Sequence, residues 1–332
     1  MKTSSLLKLA FTAGAVGAAG AVAGIVVAGR RWAAADGPDA ESRLTAPEGS
    51  EVRIPTGDGG EISATVAGDE GGRTFVLVHG WTNDRRIWAP VARVLVARGH
   101  RVVLYDQRGH GRSRAGTDGL TIEALGADMA AVLEHLDARD AVVAGHSMGG
   151  MAAQAFAIEH PQVVRERVAG VALVSTGCSN VGVSGPRGKL APFVVGNQSV
   201  DRFVSHDRLG PVLVRGTMGR RATLANLRAM QETFAATDPA VRRGFLEAMT
   251  AMDFSASLAG VDVPVVVVSG TRDQLVAHAN TRRLAELIKG ACFEAIRDAG
   301  HMVPLEHPDH VADLLEELGT ASHQPAAAPV SA

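Results

Sequence analysis

Short apolar runs alternate along this chain with longer stretches whose apolar positions recur at helical spacing. Glu51–Ile54 and Glu61–Ala67 read as two strands forming an antiparallel start. Phe75–Val78, Val102–Tyr105, Ala141–Ala144, Val168–Ser175, Val263–Gly270 and Cys292–Ile296 follow as further strands. Between them, helical spacing runs over Ile87–Ala97, Leu120–Leu136 and Met151–His160. The later strands are too apolar to face water on either side. They predict an α/β fold, a mostly parallel central sheet flanked by helices.

The strand pattern stops between Gly177 and Val261. Helices are expected there near Ala191–Val195, Val200–Leu209, Ala222–Thr233 and Pro239–Met249, the last opened by Asp238 as N-cap with Pro239 in its first turn. Phe193, Phe203, Met230, Phe234, Met249 and Phe254 concentrate apolar bulk in this stretch, either to pack it onto the core or to receive an apolar acyl group.

At the amino end, Leu9 to Gly29 carry no charge, a run long enough to cross a bilayer at about 1.5 Å per residue. A secretory signal competes, with Ala33-Ala34-Ala35 as cleavage site; the length of the run and Arg30-Arg31 beside that site favour an uncleaved anchor. The expected organisation is an anchor or signal segment over 1–32, a linker over 33–50, one domain over 51–319 with an insertion at about 181–258, and a disordered tail over 320–332. The expected location is at a membrane through residues 9–29, or outside the cell after cleavage.

Composition narrows the chemistry. A net charge of -2 with no basic cluster argues against nucleic acid as a partner. Cys178 and Cys292 form no disulfide framework; one lies past the end of a strand and the other begins one, which places them on opposite edges of the sheet. The histidines are scattered singly, without metal-site spacing, and neither a metal nor a cofactor is expected.

Gly145-His146-Ser147-Met148-Gly149-Gly150 joins an apolar strand to a helix, the setting of a nucleophile elbow. With 38 glycines in 332 residues, such a motif also arises by chance, so it needs company. His79-Gly80-Trp81 and Asp106-Gln107-Arg108-Gly109-His110-Gly111-Arg112-Ser113 supply it. Together the three resemble the α/β-hydrolase superfamily, from about Glu51 to Gly319 apart from a divergent middle.

The resemblance implies that Ser147 attacks a carbonyl carbon and that the backbone N–H groups of Trp81 and Met148 hold the oxyanion. It also implies the chain order serine, acid, histidine. Asp273 lies beyond the carboxyl end of the Val263–Gly270 strand, and Asp298-Ala299-Gly300-His301-Met302-Val303-Pro304-Leu305-Glu306 is similar to the family's catalytic-histidine loop. The catalytic set is therefore Ser147, Asp273 and His301. Asp298 is a competing acid but reads as a turn former, Asp262 lies at the wrong end of the sheet, and His278 reads as surface. His79 is expected to buttress its loop, His146 to pack behind the elbow, and Asp106 and Arg108 to serve turn and salt bridge.

The implied activity is hydrolysis of carboxylic esters through an acyl-enzyme, on a small-molecule substrate with an apolar or lipid-like acyl group. Within the same fold, a cofactor-free haloperoxidase or perhydrolase, a monoacylglycerol lipase and a lactonase are alternatives. From another class, a membrane-tethered binding protein would carry a degraded triad.

Overall fold

Eight strands build one sheet in the computed structural model, which describes Trp32, Asp36 and residues 44–179 and 196–321. They are β1 Gly49–Pro55, β2 Glu61–Gly68, β3 Thr74–Val78, β4 Arg101–Tyr105, β5 Ala141–His146, β6 Val168–Val174, β7 Val265–Gly270 and β8 Cys292–Ile296. The order is β1-β2-β4-β3-β5-β6-β7-β8; β1, β2 and β4 pair antiparallel and every later pair is parallel. The α/β architecture read from the apolar pattern is the one observed. β7 starts two residues later than the apolar run, after Pro264, which has no N–H to give a ladder.

Alternation within the strands explains both layers. Val76, Val78, Val143, Val265 and Val267 turn to one face of the sheet, and Phe75, Leu77, Val142, Ala144, Val266 and Val268 to the other. Helices α1 Ala89–Ala97, α2 Ile122–His135, α3 Met148–Glu159 and α4 Pro161–Arg167 follow β3 to β5. The first face is covered by Leu125, Met129 and Leu133 of α2 and by Met151, Ala155 and Phe156 of α3. Val91 and Leu95 of α1 cover the second. Thr121 caps α2, its hydroxyl accepting from Ala124 N at 3.1 Å.

Between β6 and β7 the described chain forms α5 Gln198–Val204, α6 Gly210–Val214, α7 Leu224–Ala236 and α8 Pro239–Ala251. Asp238 caps α8 as its sequence predicts, accepting from Ala240 N at 2.7 Å with Pro239 in the first turn. The helix expected over Val200–Leu209 instead ends at Val204. The chain turns after Val204 and restarts at Gly210, where a Cβ would lie 2.0 Å from the Val204 carbonyl oxygen. The expected helix at 191–195 lies outside the described residues. After β7 come α9 His278–Leu287, α10 Val303–Glu306 and α11 Pro308–Ala321.

Two expectations need correction. The membrane location is not upheld: no helix among the described residues is long and apolar enough to cross a bilayer, and residues 9–29 lie outside them. The cysteines are not at opposite edges, because β6 and β8 are separated only by β7. They sit instead toward opposite ends of the strands, Cys178 buried past the end of β6 and Cys292 exposed at the start of β8, both free.

Candidate active site

Ser147 stands between β5 and α3 with φ 53° and ψ -116°, a conformation that costs a non-glycine residue of order 1–3 kcal/mol. Neighbouring backbone forces it. Ser147 N donates to Val174 O of β6 at 2.9 Å, and the Thr176 hydroxyl donates to Ser147 O at 2.8 Å. The flanking glycines let strand and helix approach: a Cβ at Gly145 would meet Gly149 O at 2.2 Å, and one at Gly149 would meet Val78 O at 2.5 Å. Both clashes are with backbone, which cannot swing aside. Gly149→Ala is therefore expected to destabilise the fold by about 3 kcal/mol, read as a lowered urea midpoint at unchanged m-value.

Asp273 and His301 follow β7 and β8, neighbours at one side of the sheet. His301 Nδ1 donates to Asp273 Oδ2 at 2.8 Å, with the side chains 6% and 0% exposed. A carboxylate only accepts, so Nδ1 carries the proton and Nε2 keeps its lone pair. Leu275 N and Val276 N donate to the other oxygen, Asp273 Oδ1, at 2.8 and 2.9 Å. Burial pushes the Asp273 carboxyl up, but His301 beside it and these hydrogen bonds outweigh burial and hold it below the ordinary carboxylate value.

His146 ties this pair to the elbow. Its Nε2–H donates to the His301 carbonyl at 2.9 Å, and the two rings meet edge to face at 4.8 Å. It does pack behind the elbow, as expected, and in doing so seats the histidine loop. Asp298 is the turn former its position suggested: its φ is 64°, and its carboxylate accepts from Arg272 Nε at 2.8 Å. Asp262 is exposed at the amino end of β7. His278, read as surface, is half-buried, its Nδ1 3.0 Å from the Ser269 hydroxyl and its ring against Phe293.

On the opposite side of Ser147, the loop after β3 closes in. A Cβ on Gly80 would lie 3.0 Å from Ser147 Cβ, so Trp81 starts directly beside the elbow. Met148 N heads α3, where first-turn N–H groups have no helical acceptor. The Trp81 indole donates to Arg242 O of α8 at 3.0 Å and meets Phe234 edge to face. Trp81 is thus both beside Ser147 and fixed from above.

His79 buttresses this loop. Its Nδ1–H donates to Gly80 O at 2.7 Å, its Nε2 accepts from Gln107 N at 2.9 Å, and the Gln107 side-chain amide donates to His79 O at 2.6 Å. Gln107, which the sequence reading passed over, is a supporting residue of the site. His110 does the same one residue on, accepting from Thr82 N and donating to Arg108 O, both at 3.2 Å. Burial lowers all three inner histidines, His110 and His146 to about 3, and keeps them neutral. Asp106 binds Arg85 and Arg112 N, and Arg108 pairs with Asp128 and Asp58, so both hold turns as anticipated.

A family model described as the alpha/beta hydrolase family matches residues 75–314. A non-heme haloperoxidase from Rhodococcus erythropolis is 29% identical over 282 residues, 79% of this chain and 97% of that protein. A pimeloyl-[acyl-carrier protein] methyl ester esterase from Aromatoleum aromaticum is 32% identical over 255 residues, 74% and 97% of the two chains. Among solved structures, an esterase from a Rhodococcus species superposes with a TM-score of 0.71 at 25% identity, covering 82% of this chain and 99% of that one.

Proposed function

The chain belongs to the α/β-hydrolase family, and from that premise we propose that it hydrolyses carboxylic esters with Ser147 as nucleophile, His301 as base and Asp273 as orienting acid. The observation that carries the proposal is the buried 2.8 Å contact between His301 Nδ1 and Asp273, which fixes the tautomer a base needs. Ser147 Oγ attacks the ester carbonyl carbon while its proton passes to His301 Nε2. The carbonyl electrons move onto oxygen, facing the N–H groups of Trp81 and Met148. The intermediate collapses, the leaving alkoxide takes the proton from His301, and the acyl group stays on Ser147. Water then repeats the sequence, giving its proton to His301 and releasing the acid.

The described residues 196–258 form the cap of this site in our reading. Phe234 and the half-buried Trp81 supply apolar rings beside the oxyanion loop, which supports an apolar acyl group. A reactive alkyl phosphonate is expected to attach to Ser147, detected by peptide mass spectrometry. A folded protein that stays unlabelled sinks the proposal. Likeness to the Rhodococcus erythropolis haloperoxidase favours a second reading, in which hydrogen peroxide replaces water and releases a peracid. Peroxide-dependent bromination measured against ester hydrolysis separates the two.

A further inference from the structure

Glu306 is a carboxylate almost sealed from solvent, 3% exposed, at the end of the otherwise apolar turn Val303–Glu306. Its two oxygens serve two different chains of backbone. Oε1 accepts from Gly300 N at 2.8 Å, one residue before His301, and Oε2 accepts from Gly219 N at 2.8 Å, in the stretch between β6 and β7. The same two segments are stitched by Thr217 O, which accepts from His301 N and Met302 N at 2.9 and 3.1 Å, and by Arg220 N, which donates to Asp298 O at 2.9 Å. They touch backbone to backbone. A Cβ at Gly219 would lie 2.2 Å from Asp298 O, and one at Gly300 2.3 Å from Gly219 N.

A carboxylate can accept at both oxygens, whereas an amide presents one acceptor and one donor. The carboxyl group of Glu306 serves both N–H groups, one at each oxygen. Burial pushes Glu306 up, against the pull of the backbone donors and of Arg215, whose guanidinium is held by Met218 O and Gly219 O. His307 follows on the same turn and is itself lowered by burial and by Arg221. Burying an acid here has no packing benefit that an apolar residue would not provide more cheaply. Its geometry serves the two loops.

We infer that Glu306 is a positioning residue: it fastens the Gly300–His301 backbone to the turn Arg215–Arg221, so that the base is in place only while that turn of the cap is seated. The inference rests on the role proposed for His301. It makes one segment of the cap a part of the catalytic apparatus and not merely a lid. Cap motion that lifts the turn would carry away the support of the base with it.

Three measurements test this. Glu306→Gln should lower kcat on a short p-nitrophenyl ester about 10–100-fold with KM within about twofold, because a base displaced by a fraction of an ångström slows chemistry more than binding. Gly219→Ala, which leaves Glu306 intact but pushes the turn off Asp298, should give the same split and slow phosphonate attachment to Ser147 in parallel. Folded variants with wild-type kcat and labelling rate would overturn the inference. In the wild-type chain, amide exchange of peptides covering 215–221 and 299–302 should open together with one free energy while β5 stays protected. Independent opening of the two would overturn it without reference to activity, whereas an unlabelled wild-type serine would count against the function and not against the clamp.

Discussion

Replacing Ser147 by alanine is expected to lower kcat on an ester by about a million-fold, the scale on which loss of a triad nucleophile acts in other serine hydrolases. The residual rate would come from the Trp81 and Met148 donors and from substrate binding alone. The backbone adds a second expectation. Ser147 sits at φ 53° and ψ -116°, so glycine at this position should be stabilising by about 1 kcal/mol relative to alanine. Both variants should be equally inactive while Ser147→Gly alone gains a higher urea midpoint. A Ser147→Ala enzyme with more than a few per cent of wild-type activity would remove this serine from the chemistry. A Ser147→Gly protein no more stable than Ser147→Ala would mean the elbow stores no strain.

Acid is expected to unfold this protein early, because His79, His110 and His146 are held neutral by burial. Each offers a bare ring nitrogen to an enclosed site: His79 to Gln107 N, His110 to Thr82 N, and His146 with Nδ1 unpartnered against Gly80. The folded values lie below the unfolded value near 6.5, so the unfolded chain binds more protons as pH falls. Stability is therefore fully present above about pH 6.5 and lost as pH drops toward the folded values. His110 and His146, with folded values of about 3, give a slope of about 3 kcal/mol per pH unit, and His79 adds in the same direction, so that by about pH 5 a large part of an ordinary domain's stability is consumed. Asp273 and Asp106 are also lowered, but from the carboxylate range, so their contribution fades only at more acidic pH. Urea unfolding at stepped pH measures the slope, and His110→Gln should reduce it by about 1.4 kcal/mol per pH unit. A flat profile between about pH 6.5 and 4.5 would show that these rings charge without unfolding.

Most of this molecule could be read in advance because its strands are buried on both faces. Val76-Leu77-Val78 and Val265 to Val268 leave no other element type plausible, and the three motifs occupy the strand ends where an open sheet puts its chemistry. The position of Asp273 followed from that rule, and that of His301 from the likeness of its loop to the family's histidine loop. Less was legible where a residue's role depends on a distant partner. Gln107 reads as an ordinary polar turn residue until His79 meets it, and Arg85, with Ser63, Thr65, Glu51 and Asp106 around it, has no local signature at all. Glu306 left a faint trace, a single acid closing Val-Pro-Leu-Glu, but the two N–H donors it serves lie in different loops. The end of the helix at Val204 went unread, although Ser205-His206-Asp207-Arg208 interrupt the apolar spacing there; the close approach of Gly210 to the Val204 carbonyl is visible only in the fold.

The sheet order has a consequence for how this chain ages. Ser147 rises from β5, in the interior of the sheet, while Asp273 and His301 hang from β7 and β8, and β8 is the last strand, with no neighbour on its outer side among the described residues. Its residues are half in solvent, from exposed Cys292 to buried Ile296. Edge strands detach before central ones, so Ser147 and its proposed base are guarded to different degrees. On warming or storage, a population that has let go of β8 would keep its core, its solubility and its spectroscopic signature of a folded protein. It would hold an intact serine with nothing to take the proton from it, and shelf life would be set by one strand, not by the melting of the whole.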